Sequence, residues 1–263
     1  MLPIERQNKL LELINQKNIV TVEELMEEGG TSKATVRRDI NDMAGKGLIQ
    51  KVRGGAKSIA APATSTPAAP EIFFEPSLSA KSMSNIEEKQ RIANEAVKHI
   101  NPGDRIILDS GTTTFELARL LCDFSNLTVI TNDLRIALEI NTKSTNKLAF
   151  IGGLIRDSYC SSYGYYAENM LKEISADKLF LSVDALDPVY GIMSYIMDDV
   201  NLKIIGMEKA AETYMLCDHS KMKSKSLFSV GKLDKISLLI SGTELSDEIA
   251  EQFIQNGIPV VRV

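Results

Sequence analysis

The sequence contains no tryptophan, only two histidines and only three cysteines in 263 residues. Each scarcity removes a class of function. With His99 and His219 alone, metal chemistry lacks its commonest neutral ligand, so neither a metal nor a cofactor is expected. Cys122, Cys160 and Cys217 are odd in number, far apart and set among apolar or small residues. That pattern argues against a disulfide framework or a zinc knuckle and for reduced packing thiols. No apolar run approaches the roughly 20 residues of a membrane span, and Met1-Leu2-Pro3-Ile4-Glu5-Arg6 lacks the basic-then-apolar order of a signal peptide. The expected location is the cytoplasm, with no membrane partner. What remains is a chain 44% hydrophobic and 25% charged, long enough for one large domain and a small one.

A formal net charge of −5 argues against nucleic acid only if charge is spread evenly. It is not. From Thr31 to Lys57, Lys33, Arg37, Arg38, Lys46, Lys51, Arg53 and Lys57 face only Asp39 and Asp42. The stretch from Ile59 to Pro70 is made mostly of small residues and proline and has no periodic apolar face, which marks a linker. The expected division is a small domain over 1–58, a linker over 59–80 and a larger domain over 81–263.

Before the linker, Leu10, Leu11, Leu13 and Ile14 repeat at helical spacing after Pro3. Thr21 with Glu24 forms a capping box for a short second helix ending at Gly29-Gly30, and Ser32 opens a third. Leu48 to Val52 and Ala56 to Ile59 read as strands around Arg53-Gly54-Gly55. Three helices and a hairpin make a winged helix-turn-helix. Its third helix divides into an apolar side, Val36 and Ile40, and a polar side, Ser32, Lys33, Thr35, Arg37 and Arg38, suited to double-stranded DNA. Lys51 and Arg53 on the wing would reach a neighbouring groove or phosphate.

After the linker, helices alternate with short apolar strands at 105–109, 127–131, 148–151, 178–183, 214–217, 237–241 and 259–263, predicting an α/β domain with a mostly parallel sheet covered on both faces. Asp109-Ser110-Gly111-Thr112-Thr113-Thr114 joins a strand to a helix start, where amides and hydroxyls suit a phosphate, although such a turn can also simply cap a helix. Other strand ends offer Asn132 and Asp133, Gly152 and Gly153, Asp184, and Asp218 through Lys221. Ligands in open parallel sheets sit beyond these carboxyl ends. Each residue alone is equally well a turn or cap.

Glu5-Arg6-Gln7, Thr21-Val22-Glu23-Glu24-Leu25, Ser32 through Ile40 and Gly47-Leu48-Ile49 through Arg53-Gly54-Gly55-Ala56 resemble the N-terminal signature of the DeoR family of bacterial transcription regulators. Asp109 through Thr114, Thr131-Asn132, Gly152-Gly153 and Asp218-His219-Ser220-Lys221 resemble that family's sensor motifs. The resemblance implies a sensor domain similar in fold to ribose-phosphate isomerases and a small phosphorylated sugar as effector. It also implies repression relieved by that ligand. By the same resemblance Ser110 to Thr114 would hold the phosphate and Lys221 would neutralise it. Asn132, Asp133 and Asp184 would bind sugar hydroxyls, and Lys203 would close a loosely matching segment that starts at Tyr195.

The rival reading is a sugar-phosphate isomerase or deaminase with Asp184 or Asp187 as base. It lacks the Lys-Gly-Gly-Gly-like loop such isomerases carry, and it has no need of a basic winged helix. A purely architectural DNA binder would not need the hydroxyl-rich crevice. One small head binds weakly, so a homo-oligomer presenting several heads is expected.

Overall fold

The computed structural model describes residues 3–17, 19–52, 54–58 and 75–263. It divides the chain into a unit over 1–71 and a unit over 72–263. Among the described residues no helix is long and apolar enough to cross a membrane.

In the first unit, α1 (Pro3–Lys17), α2 (Val22–Gly29) and α3 (Lys33–Gly45) enclose Leu10, Ile14, Leu25, Val36, Ile40 and Met43, all essentially inaccessible. The capping box forms as read: Glu24 N–H donates to Thr21 Oγ1, and Thr21 N–H donates to the Glu24 carboxylate at 2.9 Å. Gly30 ends α2 in the left-handed region at φ 55°, a conformation glycine adopts without a Cβ penalty.

The hairpin, β2 (Ile49–Val52) and β3 (Gly55–Ser58), carries a third strand that the sequence reading missed. This is β1 (Ile19–Thr21), which pairs antiparallel with β3 in the order β1-β3-β2. A Cβ on Gly55 would lie 2.1 Å from the Val20 carbonyl oxygen. The close β1–β3 approach therefore requires glycine there.

The second unit holds seven parallel strands in the order β15-β14-β12-β9-β4-β5-β6. They are β4 (Arg105–Leu108), β5 (Thr128–Thr131), β6 (Lys147–Phe150), β9 (Ala176–Ser182), β12 (Ala210–Leu216), β14 (Leu238–Ser241) and β15 (Val260–Arg262). All seven apolar runs picked out in the sequence join this one sheet. Along β4, Ile106 and Leu108 face one cluster with Leu117 and Phe180 while Ile107 faces the other with Leu181 and Phe253. Burial on both faces explains why these strands read as continuous apolar runs. The helices are α5 (Ile86–Ala96), α6 (Thr112–Leu120), α7 (Leu134–Lys143), α8 (Tyr165–Lys172), α9 (Val200–Lys209) and α10 (Asp247–Gln255).

Outside that layering are a short hairpin, β7 (Leu154–Ile155) with β8 (Ser162–Tyr163), and a small antiparallel sheet of β10 (Ala185–Asp187), β11 (Gly191–Ser194) and β13 (Phe228–Gly231). Of the expected linker 59–80, residues 59–74 lie outside the described residues, and its end differs from the expectation. Ser77 caps a helix, α4 (Leu78–Met83), so ordered structure of the large unit includes residues 75–80.

Candidate functional site

Two surfaces carry the polar residues singled out above, one in each unit. On α3, Ser32 Oγ accepts the Thr35 N–H at 3.4 Å and lies 3.0 Å from Thr35 Oγ1. Lys33 is paired with Glu23 at 2.8 Å. Arg37 and Arg38 are exposed, and neither guanidinium has a hydrogen bond or ion pair among the described residues. Asp39, an acid within the basic run, is buried and accepts from Arg6 Nε at 2.7 Å and Gln7 Nε2 at 3.1 Å. Burial works to raise its pKa, but the Arg6 and Gln7 bonds outweigh it and hold the carboxyl below the ordinary range. Asp39 thus ties α1 to α3 and leaves the exposed face positive. Lys51 donates to Asn41 at 2.7 Å, which lays one wing lysine against α3. Arg53 lies outside the described residues.

In the large unit a pocket opens beyond the carboxyl ends of the four central strands, β12, β9, β4 and β5. After β4 the chain turns at Gly111 into α6. The first helical amide with an acceptor is Phe115 N–H, donating to Gly111 O at 3.1 Å. The amides of Thr112, Thr113 and Thr114 have no acceptor among the described residues, as expected of a helix start that leaves its first donors for an anion. Gly111 is tightly enclosed, since a Cβ there would fall 2.4 Å from Ser182 Oγ and 2.5 Å from Ser182 Cβ. Thr112, Thr113 and Lys221 line the pocket. The Lys221 ammonium has no ion-pair partner among the described residues.

Beneath the pocket lies a buried ion pair, of which Lys203 reaches the lining. Lys203 of α9 donates to Asp109 Oδ2 and to the Ser182 carbonyl oxygen at 2.8 Å, while Ser182 N–H donates to the same carboxylate oxygen at 3.2 Å. Burial raises the Asp109 carboxyl to about 6 despite Lys203. For Lys203 burial opposes the charge, but the Asp109 and Asp199 carboxylates prevail and its pKa is raised. On the wall, Asp184 accepts from Lys81 Nζ at 2.6 Å and from Ser194 Oγ and Tyr195 N–H at 3.2 Å each. Burial pushes the Asp184 carboxyl up and Lys81 draws it down, with a net lowering.

The far end of the pocket was not legible in the sequence. Glu75, Lys81, Arg156, Tyr159 and Asp199 meet there. The Glu75 carboxylate accepts from Lys81 Nζ at 2.6 Å and from the Arg156 guanidinium. Arg156 lies 3.7 Å over the Tyr159 ring centroid and 3.5 Å from Asp199 Oδ2. Tyr159 donates its hydroxyl to the Pro76 carbonyl oxygen at 2.5 Å.

Of the sequence-derived effector residues, the pocket brings together Ser110, Gly111, Thr112, Thr113, Asp184, Lys203, Asp218 and Lys221. Others serve the scaffold. Thr114 donates its hydroxyl to the carbonyl oxygens of Asp109 and Gly111, at 2.7 and 3.1 Å, bracing the turn from inside. Asn132 donates to the Ser162 carbonyl and anchors β8. Asp133 is fully buried at the start of α7, accepting from Arg135 N–H, Ile136 N–H, Ser110 Oγ and the Arg135 guanidinium. Gly152 and Gly153 connect β6 to β7 and are not part of the pocket lining.

Asp187 accepts from Val189 N–H and Tyr190 N–H in the β10–β11 turn, so the base proposed for an isomerase is a turn cap. His219 lies with Nδ1 2.7 Å from Glu88 Oε2 and its N–H donating to Glu88 Oε1.

The whole chain has known relatives. The DeoR-like helix-turn-helix domain matches residues 6–61, and the DeoR C-terminal sensor domain matches residues 84–243. The HTH-type transcriptional regulator GlpR of Haloferax volcanii is 33% identical over 99% of this chain and 98% of its own length. GolR of Listeria innocua, also named an HTH-type transcriptional regulator, is 31% identical over 99% and 98%. The transcriptional repressor AccR of Agrobacterium fabrum is 29% identical over 91% and 90%. Among solved structures, ribose 5-phosphate isomerase A of Methanocaldococcus jannaschii matches with a TM-score of 0.40 and 20% identity over 53% of this chain and 55% of that one.

Proposed function

The chain belongs to the DeoR family of transcriptional regulators, and from that premise we propose that it is a repressor of sugar-metabolism genes that leaves its operator when a small phosphorylated sugar fills the sensor pocket. The observation that carries the ligand class is the start of α6. The Thr112 and Thr113 amides, without acceptors, and the Lys221 ammonium, which makes no ion pair among the described residues, line one end of a pocket whose other walls are hydrogen-bonding side chains. A phosphate satisfies such donors, and the helix dipole adds to the attraction. Asp184 and Asp218 would accept sugar hydroxyls. Relatives over nearly the full length are named as regulators, which sets the isomerase reading aside.

On the DNA side, Arg37 and Arg38 would contact bases or phosphates, with Ser32, Lys33, Thr35, Lys51 and Arg53 supporting them. Two or more subunits would present their heads to repeated half-sites. The ligand would act by favouring one arrangement of heads over another.

The test is thermal stability of the full chain against paired phosphorylated and unphosphorylated sugars. A native-state ligand present at about 100 times its Kd stabilises by about 2.7 kcal/mol, a readily measured rise in Tm. A rise with phosphorylated members only is expected. Gly111→Ala, which drives a methyl into Ser182, should abolish that rise; an undiminished response in this variant would move the phosphate away from the turn.

A further inference from the structure

We propose that the Arg156, Lys81 and Tyr159 cluster is a second anion subsite of the sensor pocket, held in this structure by the chain's own Glu75 carboxylate, and that the effector is a phosphorylated sugar bearing a second acidic group that displaces Glu75. The proposal rests on the reading of the pocket as a sugar-phosphate site and adds the ligand's other end.

Glu75 comes from the chain just before α4 rather than from a sheet strand or its connecting helix. Its carboxylate is nevertheless buried, with the side chain 9% exposed, against Lys81 of the adjacent α4 and Arg156 from 81 residues further along the chain. A guanidinium stacked on a tyrosine ring and an ammonium beside it form a preorganised carboxylate or phosphate receptor.

The local charges also exclude simple addition of an anion. At this end and beneath the pocket, Lys81, Arg156 and Lys203 face Glu75, Asp109, Asp184 and Asp199. One carboxylate is in excess, and burial with crowded like charges raises the Asp199 pKa. An incoming anion therefore has to replace one of these carboxylates. Asp109, Asp184 and Asp199 project from the sheet framework or the segment leading into α9. Glu75 sits just ahead of α4 on a segment held by its own ion pairs, the Tyr159 bond to Pro76 and the Ser77 cap of α4. It is the carboxylate that can leave.

Its departure would free residues 75–77, which are covalently continuous with the segment leading back to the DNA-binding unit. Ligand chemistry at the far end of the pocket would thereby reach the connection between sensor and head.

The experiment measures binding to the full-length protein with four probes: glucose 6-phosphate (phosphate alone), gluconate (carboxylate alone), 6-phosphogluconate (both) and fructose 1,6-bisphosphate (two phosphates). Wild type should bind one of the two-anion probes at least about tenfold more tightly than either single-anion probe. The favoured partner distinguishes a carboxylate from a phosphate at the second subsite. Glu75→Gln should tighten that probe by a further factor of about ten and leave glucose 6-phosphate unchanged, and Arg156→Gln should erase the preference. Equal effects of Glu75→Gln on one- and two-anion probes, or no preference in wild type, overturn the second subsite. Loss of all phosphate dependence, seen as indifference of every probe to Lys221→Ala, overturns the phosphate-turn reading instead. A ligand-free readout stands beside these: amide hydrogen exchange across Leu78–Met83 should accelerate at least about tenfold in Glu75→Gln. Unchanged exchange there overturns the role of Glu75 as the segment's anchor.

Discussion

Lys203→Met is expected to lower the unfolding free energy of the sensor domain by about 3–5 kcal/mol, the range for removing one partner of a buried ion pair. Denaturant titration of the C-terminal transition reads it directly. The cost lies in what stays behind: Asp109 is 8% exposed, and without Lys203 its carboxylate would keep only the Ser182 N–H as donor.

The sign of the pH dependence follows from the raised Asp109 pKa. In the folded protein that carboxyl titrates near 6, above its ordinary 3.8. Its contribution is fully present below about pH 4 and is lost as pH rises through about 6, because the folded state holds the extra proton across that window. In Lys203→Met the carboxyl is pushed higher still, so the loss moves to higher pH. The double variant Lys203→Met/Asp109→Leu should regain most of the stability, since an apolar pair of similar volume leaves no buried charge. A single-variant loss below about 1 kcal/mol would mean that water reaches the pair, where ion pairs contribute little.

The second large effect is on DNA. Arg37→Ala and Arg38→Ala should each weaken operator binding by about 1–3 kcal/mol, and together by a factor of about 10² to 10⁴, without shifting the melting transition of the sensor domain. Both guanidinia are exposed, and neither makes a hydrogen bond or ion pair among the described residues, so their removal breaks none within the protein. Salt titration separates their roles. A phosphate-contacting arginine flattens the salt dependence by about one unit of slope, whereas a base-reading one relaxes sequence preference. Operator affinity preserved in the double variant would remove α3 as the recognition helix.

Sequence and structure agree best where a signal is local. The Thr21/Glu24 capping box and the seven apolar runs needed only neighbours in the chain to be recognised. The three-residue strand Ile19–Thr21 was hidden because it lies between a helix end and a cap, and only its pairing with Gly55–Ser58 makes it a strand. α4 was absorbed into the small-residue stretch because Ser77, Ser79, Ala80 and Ser82 continue that composition.

The pocket follows the same rule. Its phosphate end is one contiguous turn, Ser110 to Thr113, visible as a motif. Its far end joins Glu75 to Arg156 across 81 residues and Lys81 to Asp184 across 103. No spacing rule reports a contact of that kind. Asn132 and Asp133 are ambiguous for the opposite reason: cap and ligand residues use the same side-chain chemistry, and only the partners that the fold supplies distinguish them.

The strand order also dictates a timetable for synthesis. The residues of the DNA-binding head are all made by Ser58, and its contacts are local. β4 must wait for β9: Arg105 meets Asp177, 72 residues later, and Ile106 pairs with Lys178. At typical translation rates of about 5–20 residues per second, that is a delay of several seconds on the ribosome. Once β5 has followed, β4 has it on one side and a row of open backbone donors and acceptors, flanked by Ile106, Ile107 and Leu108, on the other. Such an edge pairs readily with another chain. The protein's need for chaperone protection is therefore concentrated between the emergence of β4 and that of β9, when a finished head is already attached to an unfinished sensor.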